Sequence, residues 1–335
     1  MGIITELANS KNKLYSNFFS GNKFLDGKSV YNSWSWRYKK PSNNSFSFVQ
    51  INDLVQREYI VNEEIKTLHH LFQFANSELF DIKFSQAVEG DGQEWRRITT
   101  LHSSSLIALL CFYNIEGKPL TYTMSDGTRC KFTHSYFECQ NKIKNAPRPS
   151  NIDIVLTGIN EKTDKQVILF LESKFSEYLS GGKKDGISNH VYGRIYNDIK
   201  IDGLNFIPNK NEETWTIQSK KGQSHYCEGI KQMISHYLGI MTEIDDGHFG
   251  KVNSANDYFE KIYLGEILYQ FPEDIDNGKF KNYATIYHGL ASHLNGLNDK
   301  NNQYRRFSVI PEIITYQMLF NGYKLDECVK DFYKL

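Results

Sequence analysis

The chain has 335 residues, 40% hydrophobic and 14% aromatic, enough for one large domain or two small ones with a real core. Lysine plus arginine equals aspartate plus glutamate at 39 each, so the formal net charge is zero, which excludes a strongly basic nucleic-acid coat and leaves only local patches. Five scattered cysteines without a C-x-x-C exclude a disulfide framework and a zinc knuckle, and the longest apolar stretch, L-I-A-L-L-C-F-Y, is too short to span a bilayer.

The opening M-G-I-I-T-E-L-A-N-S lacks the basic start and apolar run of a secretory signal, and Glu6 stands where a myristoylation motif needs Ser or Thr. A cytoplasmic chain with no membrane partner is therefore expected. Residues 1–89 read as an N-terminal, mainly helical extension, with helical spacing over Asn52–Phe80 at Leu54, Val55, Ile65, Leu68, Leu71 and Phe72. Within it, Trp34–Lys40 (W-S-W-R-Y-K-K) mixes aromatic and basic residues, a combination that stacks on bases and grips phosphates, or simply packs in a core. After the turn E-G-D-G-Q, a helix is predicted over Gln93–Tyr113, with Ile98, Leu101, Ala108, Leu109 and Phe112 as its apolar stripe. Glu94 shares that stripe, one turn ahead of Ile98, so it is either an inward-facing carboxylate or a first-turn acid favoured by the helix dipole. A strand follows over Arg129–Lys142. Cys130, His134 and Cys139 are close in sequence, but they lie on this apparent strand, which weighs against a metal role.

Two strongly apolar runs come next, Asn151–Gly158 and Gln166–Lys174, separated by the turn-forming G-I-N-E-K-T-D-K, which predicts a β-hairpin. A four-residue loop, Glu161–Asp164, pairs Asn160 with Lys165, and stepping outward from there sets Asp153 opposite Glu172. Directly opposed residues have Cβ atoms about 4.5–5.5 Å apart on one face, and Lys174 falls on that face one alternation further along. Like charges so placed destabilise a sheet unless one carboxylate holds a proton or a cation sits between them. A hard divalent ion such as Mg²⁺ fits that description. The bland alternative is an ordinary strand-face Glu–Lys ion pair.

After Lys174 the chain is polar and glycine-rich over residues 175–225, read as a long loop or insert made locally basic by Lys183, Lys184, Arg194, Lys220 and Lys221. A helix is predicted over Tyr226–Met241, with a core stripe of Ile230, Met233, Ile234, Tyr237, Leu238 and Met241. On it Gln232 and His236 share a face, and His236 reads as a packed histidine rather than a ligand. A strand over Lys261–Phe271 then implies a parallel pair with the second hairpin strand. Residues 276–335 read as a C-terminal helical extension packed on the core, with helices at Tyr283–Leu294 and Asp326–Tyr333.

The order helix, strand, strand, strand, helix, strand, with Glu94 on the first helix, Asp153 on the second strand and E-S-K on the third, resembles the PD-(D/E)xK nuclease superfamily over residues 90–275. The resemblance implies a restriction-endonuclease-like fold, an α/β (mixed α+β) core with a central mixed sheet flanked by helices. It assigns Asp153, Glu172 and Glu94 as ligands of Mg²⁺ or Mn²⁺, Lys174 as the group that positions or activates the attacking water, and Gln232 as a helix residue beside the site. No proline directly precedes Asp153, and the Gln232–Tyr237 spacing is one residue longer than in exonuclease-type members. The implied activity is hydrolysis of phosphodiester bonds in nucleic acid, with DNA the expected substrate, Arg96, Arg97, Lys183, Lys184 and Arg194 lining a groove, and a homodimer compatible with the family. The alternative is a catalytically silent nucleic-acid- or protein-binding module on the same fold.

Overall fold

The structure is a computed structural model that describes residues 68–69, 72–89, 98, 103–144, 146–180, 185–187, 199–209, 215–223, 225–248, 259–301, 308–333 and 335. The predicted hairpin is its centre. Strands β1 (Leu120–Thr123), β2 (Arg129–Asn141), β3 (Ser150–Asn160) and β4 (Gln166–Lys174) pair antiparallel in chain order. Strands β8 (Lys261–Leu268) and β9 (Val309–Thr315) then join parallel to β4, giving a six-stranded mixed sheet of order β1-β2-β3-β4-β8-β9. Asn160 N–H donates to the Lys165 carbonyl at 2.9 Å and Ile154 faces Leu171, so the hairpin has the register expected from its loop. β4 is buried from Val167 to Lys174, which is why its core reads as an unbroken apolar run rather than an alternation.

β2 carries one extra residue, a bulge between Phe132 and His134. Gly158 lies across from it, and a Cβ there would come within 2.0 Å of the Lys131 carbonyl oxygen, so the chain needs glycine at that position.

Helices cover both faces. Helix α1 (Ser77–Glu89) packs on β2, and α2 (Ser104–Phe112), buried on all sides from Leu106 onward, packs on β3 and β4. Helix α3 (Cys227–Asp245) lies against β2, β3 and β8. Adjacent residues of a strand point to opposite faces. Ser173 donates to the Ser104 carbonyl of α2 at 2.9 Å while Glu172 meets α3, so α2 and α3 lie on opposite sides of the sheet. Helix α4 (Lys279–Asn301) packs on β9, and α5 (Glu327–Tyr333) on α2. Among the described residues no helix is long and apolar enough to cross a membrane. This is the mixed α/β, restriction-endonuclease-like arrangement that the element order implies.

Three expectations are corrected. The helix predicted over Gln93–Tyr113 is not continuous: Ser103 is extended, its hydroxyl accepts the Leu106 N–H at 3.1 Å, and the helix begins at Ser104. Residues 276–335 are not purely helical, since they supply edge strand β9. The stretch after Lys174 is not all loop: β5 (Asp185–Ile187), β6 (Leu204–Pro208) and β7 (Trp215–Ser219) form a second, three-stranded antiparallel sheet.

Candidate active site at a fork in the sheet

The β3–β4 ladder ends at the Ile154–Leu171 pair. Beyond it β3 stays with β2, through Cys139–Ile152 to Asn141–Ser150, while β4 stays with β8, from Glu172–Glu266 to Lys174–Leu268. The sheet therefore forks one residue past the last rung, where Asp153 and Glu172 stand on opposite arms. Ser173 N–H, left without a rung, donates to Asp153 Oδ2 at 2.7 Å, so the side chain of one arm closes the backbone gap of the other.

Glu172 is buried, 2% exposed, and three donors converge on it. Lys174 Nζ donates to Oε1 at 2.5 Å, Gln232 Nε2 donates to Oε1 at 2.7 Å, and His236 Nε2 meets Oε2 at 2.9 Å. Burial alone would raise the Glu172 carboxyl, but the Lys174 ammonium and then His236 outweigh it and hold the group well below the usual carboxylate range. Burial alone would lower the Lys174 ammonium, yet the Glu172 charge outweighs it and raises the group well above its ordinary value. Lys174 is thus held as a cation by Glu172. Since Glu172 is a carboxylate, His236 must donate from Nε2. Its Nδ1 is held by the Ser150 hydroxyl on β3, which makes a relay from Ser150 through His236 to Glu172.

Gln232 and His236 are one helical turn apart on α3, which is how one helix delivers both to the same carboxylate. Gln232 Oε1 is buried and makes no hydrogen bond. The sequence reads His236 as a packed histidine; the structure makes it a Glu172 partner, and its i, i+4 spacing from Gln232 is the signal.

A second acid escaped the sequence reading altogether. Glu266 of β8 is fully buried, level with Glu172 in the parallel register. Its Oε1 accepts the Tyr283 hydroxyl at 2.8 Å, and its Oε2 has no hydrogen-bond partner. Burial raises its carboxyl to about 7 against the opposing pull of the Lys174 ammonium and the Tyr283 hydroxyl.

The sequence-predicted residues divide in two. The structure gathers Glu172, Lys174 and Gln232, with Asp153 across the fork. Glu94, Arg96, Arg97, Lys183, Lys184 and Arg194, like the Trp34–Lys40 segment, lie outside the described residues. Among the described residues no three of His, Cys, Asp and Glu gather as a metal-holding group. Mg²⁺ is nevertheless served by one or two carboxylates with water completing its shell. Asp153, Glu172 and the Gln232 oxygen that makes no hydrogen bond are hard donors of that kind. A separate cavity of about 830 Å³ opens on the small sheet beside Phe206, Ile207, Pro208 and Trp215, and touches none of the fork residues.

A family model described as Restriction Endonuclease associating with ARP (REase-ARP) matches residues 25–253, well over half of the chain. Neither the curated proteins nor the solved structures compared with the chain gave a match.

Proposed function

This chain belongs to the REase-ARP family, whose nuclease-like fold it carries, and from that premise we propose that it is a metal-dependent nuclease hydrolysing phosphodiester bonds in DNA. The observation that carries the reading is the fork, where Asp153 and Glu172 stand on diverging strands and Glu172 pairs with the buried Lys174 cation. Asp153 and Glu172 would hold Mg²⁺ or Mn²⁺, with Glu94 as a further acid supplied from outside the described residues. Such an ion polarises a scissile phosphate and lowers the pKa of a bound water.

The chain's own residues supply the rest. Lys174, kept positive by Glu172, places a fixed charge where negative charge grows on the phosphorus oxygens. Gln232 and His236 fix the Glu172 carboxylate from above, and Ser150 fixes His236. Asp153 is half-buried, whereas Glu172 and Glu266 are buried. Arg96, Arg97, Lys183, Lys184 and Arg194 would supply the phosphate-binding charge that a neutral chain needs to concentrate in one groove.

One observation favours the second reading, a catalytically silent module: Glu172 already holds three partners. Supercoiled plasmid incubated with Mg²⁺ or Mn²⁺ separates the two. The nuclease reading expects nicking that chelation stops and that Asp153→Asn abolishes, the amide oxygen of Asn still serving Ser173 N–H so that the fold survives. Undiminished metal-dependent cleavage by Asp153→Asn would sink the assignment, and no cleavage by the wild type would favour the silent module.

A further inference from the structure

Tyr283 of α4 is fully buried and joins three elements at one point. Its hydroxyl donates to Glu266 on β8, its ring packs edge-on to Tyr226 at the start of α3 with centroids 5.6 Å apart, and its oxygen sits in a notch in α3 itself. The notch is Gly229: a Cβ there would lie 2.0 Å from the Tyr283 hydroxyl oxygen and 3.0 Å from Glu266 Oε1. No residue other than glycine lets α3 come this close to the hydroxyl. One turn further along the same face stands Gln232, and one more turn brings His236. The height of α3 above the sheet at Gly229 is therefore the height at which those two side chains reach Glu172.

Glu266 does not suit a purely packing role. It is the one acid inside the apolar strand K-I-Y-L-G-E-I-L, fully buried, with one carboxyl oxygen making no hydrogen bond. An aliphatic side chain would fill the same space without leaving a polar atom unpaired. What the carboxyl provides is an anchor for the Tyr283 hydroxyl, level with Glu172 on the neighbouring strand.

We infer that Glu266 and Tyr283 are positioning residues that seat α3 through the Gly229 notch, so that Gln232 and His236 hold Glu172 in place. The inference rests on Glu172 as the centre of the proposed site. Its test uses two independent readouts on the full chain: the ring ¹⁵N signals of His236, assigned with His236→Gln, and metal-dependent plasmid cleavage. Tyr283→Phe is expected to displace the His236 ring signals and to lower kcat by about 10- to 100-fold with KM unchanged, as expected for a displacement near 1 Å of reacting groups. Glu266→Leu removes the acceptor of the Tyr283 hydroxyl and is expected to displace the His236 signals and lower kcat as Tyr283→Phe does, whereas Glu266→Gln keeps an oxygen there and rescues both. His236 signals unmoved in Glu266→Leu would remove Glu266 from the inference. Val329→Ala, a buried truncation in α5 on the α2 side, should lower thermal stability without moving the His236 signals. His236 signals unmoved in Tyr283→Phe, or moved as far in Val329→Ala, would overturn the inference. A wild type that cleaves nothing would refute the nuclease reading while the His236 signals still decide this one.

Discussion

Glu266→Gln gives the sharpest energetic prediction. The carboxyl is completely buried and is raised by that burial from its ordinary 4.5 to about 7. The folded chain then keeps a proton across a pH range in which the unfolded chain has lost it, and stability must fall as pH rises through that range. The gap, at about 1.4 kcal/mol per pH unit, amounts to about 3 kcal/mol between roughly pH 4.5 and pH 7, with a plateau above. Glu172 has the opposite sign: its depressed carboxyl contributes stability above the unfolded value and loses it only at lower pH, outside this window. A glutamine at position 266 cannot titrate, so the wild type should match the variant near pH 4.5 and fall about 3 kcal/mol behind it by pH 8. Urea unfolding across this pH series, with chelator present to exclude metal linkage, measures the difference. Parallel pH profiles for the two proteins, or a wild type that gains on the variant as pH rises, would refute the reasoning.

Three further outcomes follow from the same contacts. Lys174→Met strands the buried Glu172 carboxylate and should cost about 3–5 kcal/mol, most of it recovered in Glu172→Gln/Lys174→Met; a double-mutant cycle by urea unfolding that shows no coupling would contradict the pairing. Gly229→Ala drives a methyl into the Tyr283 hydroxyl and should be strongly destabilised, while Gly229→Ala/Tyr283→Phe should be milder than the single variant, an ordering that thermal melts report and that a simple sum of the two single effects would refute. Ser103→Ala removes the cap of α2 and should cost about 1 kcal/mol in the same melts, with an unchanged midpoint as the contrary result.

The hairpin was legible because two apolar runs and a four-residue turn determine a register; the structure keeps that register as far as Ile154–Leu171 but does not continue it to the Asp153–Glu172 pair it predicts. The stripe of Ile230, Met233, Ile234 and Tyr237 likewise located α3. The fork was not legible, because the point where β4 leaves β3 depends on its parallel partner, and a parallel register carries no turn from which to count. Glu266 was hidden for the same reason: only the pairing of β4 with β8 sets it level with Glu172. β9 escaped because Pro311 interrupts V-I-P-E-I-I-T, and the strand tolerates that proline by lying at the sheet edge. β1, four residues long, offers too little alternation to be seen. His236 sat in plain view, four residues after Gln232, but a histidine beside an apolar stripe reads as packing until its partner carboxylate is placed.

The central claim is that Asp153 and Glu172 together hold a divalent ion across the fork. The most direct measurement is a crystal structure grown with Mn²⁺ and recorded at a wavelength where manganese scatters anomalously. An anomalous peak about 2.0–2.6 Å from a carboxylate oxygen of each residue is the predicted result. Saturating Mn²⁺ with no peak at the fork, and Lys174, Gln232 and His236 still closed on Glu172, would contradict it.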